Sequence, residues 1–74
     1  MKKATQNLTV DQLKSKVENS WEKIQSTLKN SEEDLHRFLK GNSAAGTRVR
    51  KGLQEIKIAS QDVRLYIQEI KNKK

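Results

Sequence analysis

A chain of 74 residues with no Pro, no Cys and three Gly makes one domain at most, near the lower size limit for a self-sufficient core. The absence of Cys excludes a disulfide framework, a thiolate metal site and a thiol nucleophile, and it fits a reducing compartment. A formal net charge of +7 points to a polyanionic partner rather than to an apolar or cationic one.

Met1 to Asn7 carries Lys2 and Lys3 but no apolar stretch after them, so it reads as a flexible basic N-terminus over residues 1–8 and not as a signal peptide. No segment reaches the length of a transmembrane span. The expected location is the cytoplasm.

Leu8-Thr9-Val10-Asp11-Gln12-Leu13 reads as a helix start. Thr9 caps, Gln12 completes a capping box, and Leu8 can staple onto Leu13. Val10, Leu13, Val17, Trp21, Ile24, Leu28, Leu35 and Phe38 then recur in steps of mostly three and four, a helical stripe rather than a strand alternation. This first helix is expected over residues 9–40. Gly41 stops it, because glycine accepts the left-handed conformation of a helix end.

A turn over 41–43 leads to a second helix over 44–72, capped by Asn42 or Ser43. Val49, Ile56, Val63 and Ile70 repeat every seven residues. The closing Lys71-Asn72-Lys73-Lys74 complements the carboxyl end of the helix dipole. The two stripes match in antiparallel register: Leu35 with Val49, Leu28 with Ile56, Trp21 with Val63, Val17 with Ile67, and Ile24 with Ser60 all have numbers totalling 84. The fold class is therefore all-α, a long antiparallel two-helix hairpin spanning residues 9–74.

One seam is thin cover for a core, so the hairpin is expected to dimerise into a four-helix bundle or coiled coil. Trp21 is the expected interface anchor. Ile58 and Leu65, seven apart and off the main stripe, are further candidates for an oligomer contact, against the plainer reading of scattered surface apolars.

Charge divides the chain. Bases and acids balance over residues 9–42, while residues 43–74 hold eight bases and three acids, a net +5. Arg48, Arg50 and Lys51 stand in the first turns of helix two, where each cation costs a few tenths to about 1 kcal/mol. Glu32, Glu33 and Asp34 lie opposite Arg50 and Lys51 in the hairpin register and offer them internal neighbours, whereas Arg48 has no evident one. Whether that acidic patch neutralises Arg50 and Lys51 is left open by the sequence. Arg50, Lys57, Arg64 and Lys71 form a row spaced by seven, and Glu55, Asp62 and Glu69 form another on the opposite flank. The basic row spans about 31 Å at 1.5 Å per residue, close to the ~34 Å of one DNA turn. Such rows can instead flank a coiled-coil seam and select its partner.

At these residues the sequence resembles the bacterial histone-like proteins related to the linker-histone-like DNA-condensing protein of chlamydiae. The match lies in Gly41-Asn42-Ser43-Ala44-Ala45-Gly46-Thr47-Arg48-Val49-Arg50-Lys51, and continues more loosely through Leu53-Gln54-Glu55-Ile56-Lys57 and Val63 to Glu69. The first helix matches only in its amphipathic pattern. The resemblance implies a nucleoid-associated protein that binds DNA with little sequence preference. Arg48, Arg50 and Lys51 match the family's basic cluster by position, and Lys57 and Arg64 its later bases. The chlamydial protein carries a long Lys/Ala-rich tail that residues 1–74 lack, so bridging by a compact oligomer is expected in its place.

No catalytic constellation is present, and the chain is expected not to be an enzyme. The lone His36 without Cys does not make a metal site, and Ser20, Ser26 and Ser31 have no adjacent base. No cofactor and no small-molecule substrate are expected. The expected partner is duplex DNA, with RNA as a second polyanion, contacted through Arg48, Arg50, Lys51, Lys57, Arg64, Lys71, Lys73 and Lys74. The competing reading is a helical protein-interaction or oligomerisation module with charged edges. A membrane-surface helix is opposed by the acidic row and by the pairing of the two stripes.

Overall fold

The computed structural model describes residues 8–73, which form helix α1 (Val10–Leu39) and helix α2 (Ser43–Asn72) packed side by side. Lys2, Lys3 and Lys74 lie outside the described residues. The start of α1 follows from local chemistry. Thr9 Oγ1 accepts from the Gln12 backbone N–H at 3.1 Å, and Gln12 Oε1 accepts from the Thr9 N–H at 2.9 Å. Two of the orphan donors of the first turn are thereby satisfied. At the other end Gly41 takes φ 109°, a conformation open to glycine at no steric cost. Asn42 Oδ1 then accepts from the Ala45 N–H at 3.1 Å and opens α2.

The helices meet along two seven-residue repeats. On α2 the most buried positions are Ala45, Gly52, Ala59 and Val63, with Val49, Ile56, Tyr66 and Ile70 half-buried beside them. On α1 they are Leu13 and Ser31, with Val10, Val17, Ser20, Ile24, Thr27 and Asp34 half-buried. Both series step alternately by three and four, the period of helices that wrap one another.

The α1 seam differs from the sequence expectation. Trp21, Leu28, Leu35 and Phe38 belong to the apolar stripe but are exposed, Trp21 by 54% and Leu28 by 55%. The cause lies on α2. With Ala45, Gly52 and Ala59 on its seam, α2 comes close to α1, and at Gly52 only a small side chain fits opposite. A Cβ placed on Gly52 would collide with Ser31 Oγ and come within 3.5 Å of Thr27 Cγ2. Ser20, Thr27 and Ser31 therefore take seam positions, and the large residues are displaced to one flank. The residue numbers of the Gly52–Ser31 pair place the register within one step of the expected one.

This close approach is testable. Alanine is favoured over glycine in a helix by about 1 kcal/mol, whereas overpacking a tight contact costs about 1–3 kcal/mol. G52A is expected to lower stability in the native background and to raise it by up to about 1 kcal/mol when Ser31 is also Ala. Denaturation followed by circular dichroism reads both. A stabilising G52A with Ser31 intact would contradict the contact.

Candidate nucleic-acid interface

The seam separates the main charged rows of the hairpin onto two flanks. On the first, α1 places Lys16, Lys23 and Arg37 in one seven-residue row whose third member is the neutral Asn30, and α2 places Glu55, Asp62 and Glu69 across from them. Lys23, Glu55 and Asp62 line one shallow groove with Ser20 and Ala59. This flank is charge-complementary within one chain, which accounts for the acidic row on α2: it faces the basic row of α1 and favours antiparallel closure. Lys23 and Asp62 stay beyond ion-pair distance, so the effect is one of facing rows rather than of fixed bridges.

At the turn end of the same flank stands a three-residue ion cluster. Arg48 Nε and Nη2 donate to Asp34 Oδ1 at 3.2 and 3.1 Å, and Arg37 Nη1 donates to the same oxygen at 3.3 Å. The sequence expectation for this region is corrected here. Arg48, which had no evident partner, is the cation that Asp34 holds. Arg50 and Lys51, for which the acidic patch was a candidate neighbour, make no ion pair among the described residues. A residue-number total fixes the level of two residues along the hairpin but not the flank each occupies. Asp34 is a seam residue leaning toward the Arg48 flank, and Arg50 lies on the other. The seven-residue spacing of Leu13, Ser20, Thr27 and Asp34 is the signal that would have placed it.

The second flank is built differently. Arg50, Lys57, Arg64 and Lys71 run along the outer edge of α2, all exposed. Beside them lies the displaced apolar set: Leu35, Phe38, Val49 and Arg50 share one hollow. The facing edge of α1 holds Asp11, Glu18, Gln25 and Glu32, separated from the bases by the width of that apolar strip. No base of the row has an ion-pair partner among the described residues. Lys51 is exposed one residue further around α2, and Lys73 is exposed at its carboxyl cap.

The other candidates separate in space. Trp21 lies on the apolar flank beside Val17 and Glu18. Ile58 lines the opposite flank with Lys23 and Asp62, and Leu65 sits on the outer side of α2 with Gln61 and Gln68. These three do not form one patch. Among the described residues no group of acids, His or Cys could hold a metal ion, and no helix is long and apolar enough to cross a membrane.

The model of the family described as histone H1-like protein Hc1 matches residues 18–73. No curated protein and no solved structure matches the chain.

The Asp34 cluster gives a pH-dependent expectation. The Arg48 hydrogen bond, aided by the charges of Arg48 and by Arg37, outweighs partial burial and holds the Asp34 carboxyl below its ordinary value. A depressed carboxylate contributes stability that is present above the unfolded value near 4 and is lost as pH falls through the folded value. D34N is therefore expected to melt below the native protein at neutral pH, with the gap closing as pH drops below about 4. A gap that stayed constant from pH 7 to pH 2 in thermal melts would rule the cluster out.

Proposed function

Because the chain belongs to the Hc1 family of histone H1-like proteins, we propose that it is a non-enzymatic nucleoid protein that binds duplex DNA through phosphates, with little sequence preference. The observation that carries this reading is the asymmetry of the two flanks. The acidic row of α2 has the bases of α1 across from it. The basic row Arg50, Lys57, Arg64 and Lys71 has no such neighbour at hand and is exposed along its whole length. A rigid helix presents these cations at about 10.5 Å intervals, and each phosphate they neutralise releases counterions to solution. Such contacts hold a duplex without reading its bases.

Lys51 and Lys73 extend the same charge at the two ends of α2. Arg48 has a different role in this reading. Its guanidinium is engaged by Asp34, so it fixes the turn that carries the row rather than gripping a phosphate. RNA offers the same phosphates and would compete for the same edge.

Gel shift with a short duplex at graded salt tests the proposal. The logarithm of affinity is expected to fall with the logarithm of salt with a slope near −0.9 per phosphate contacted, and changing the base sequence is expected to matter little. Charge reversal at Arg50, Lys57 and Arg64 together should abolish the shift, and R64A alone should reduce the slope by about 1. Binding that survives the triple reversal would sink the proposal.

A further inference from the structure

The apolar flank is more exposed than a hairpin of this size has reason to leave it. Trp21, Leu28, Leu35, Leu53 and Ile67 all lie on it and are 42–55% exposed, while the buried apolar core consists of Leu13, Ala45, Ala59 and Val63. Leu28, Leu35, Val49 and Leu53 line one continuous groove, with Glu32 at its rim. A contiguous apolar patch with a charged border marks an interaction surface. The hairpin is 50 Å long and 19 Å wide, so a partner laid along this flank has the length for an interface of the ~800 Å² per side that stable complexes bury.

The border states which partner fits. The α1 edge of this flank carries Asp11, Glu18, Gln25 and Glu32, and the α2 edge carries Lys71, Arg64, Lys57 and Arg50. Taken in that order the residue numbers of each pair total 82, close to the internal register of the hairpin. Two copies can lay their apolar flanks together about a two-fold axis in either of two ways. With the axis across the helices, α1 covers α1 and α2 covers α2, so acids meet acids and bases meet bases. With the axis parallel to the helices, α1 of one copy covers α2 of the other at the same level. Asp11 then faces Lys71, Glu18 faces Arg64, Gln25 faces Lys57, and Glu32 faces Arg50.

We propose that a second copy of this chain covers the apolar flank about the axis parallel to the helices, giving a four-helix bundle with both turns at one end. The surface is self-complementary, as a two-fold interface requires, and the charge rows select one of its two orientations. This inference does not depend on DNA binding. It does place Glu18 and Glu32 of one copy in competition with phosphate for Arg64 and Arg50 of the other.

Molecular mass in solution without DNA tests it. The native chain is expected at twice its 8.5 kDa, and L28E/L53E at the mass of one chain. Charge reversal supplies a second test on surface residues alone. E18R/E32R places base against base, and R50E/R64E places acid against acid. Each alone is expected to dimerise at least tenfold more weakly than the native chain, and an equimolar mixture of the two to recover a mixed dimer. A monomeric native chain, or reversal variants that each dimerise as the native chain does, would overturn the proposal. R50E/R64E mixed with E18R/E32R also separates this inference from the DNA reading, because the mixed dimer forms whether or not either variant shifts DNA.

Discussion

The contact between Gly52 and Ser31 sets the rest of this structure. Because α2 offers Ala45, Gly52 and Ala59 at seven-residue intervals, the helices approach closely around Gly52, and the seam there has room for Ser31 and Thr27 but not for a bulkier side chain. Trp21, Leu28 and Leu35 are displaced onto one flank. The charged rows then fall outside the seam on either side.

From that constraint the two flanks acquire different purposes. The Lys16–Lys23–Arg37 flank faces the acidic row of α2 within one chain, and at the turn end Asp34 ties Arg37 and Arg48 together. The opposite flank keeps an acidic edge and a basic edge apart across an apolar strip. A separated pair of charged edges has no internal use in a single hairpin, so it is available to another molecule. Phosphate and a second copy are the two partners that its chemistry accommodates, and both draw on Arg50 and Arg64.

Much of this was legible in the residues themselves. Thr9 and Gln12 announce the first helix, Gly41 and Asn42 the turn, and the matched apolar spacings the antiparallel register. The family resemblance read from Gly41 to Lys51 agrees with the family match over residues 18–73. The choice of seam was not legible from hydrophobicity, because Trp21, Leu28 and Leu35 are more apolar than Ser20, Thr27 and Ser31. Shape decides there, and shape appears only when the small residues of α2 are set opposite them. The same omission misassigned the acids: Asp34 was grouped with Glu32 by adjacency, yet the two lie on different flanks, one holding Arg48 and one bordering the apolar groove.

The most direct measurement is a titration of isotope-labelled protein with a short DNA duplex, followed residue by residue by nuclear magnetic resonance. The account predicts shifts that recur every seven residues along α2, at Arg50, Lys57, Arg64 and Lys71, with the Glu55, Asp62 and Glu69 edge unmoved. Shifts centred on the Arg37–Arg48 flank, with the Arg50 to Lys71 edge silent, would contradict it.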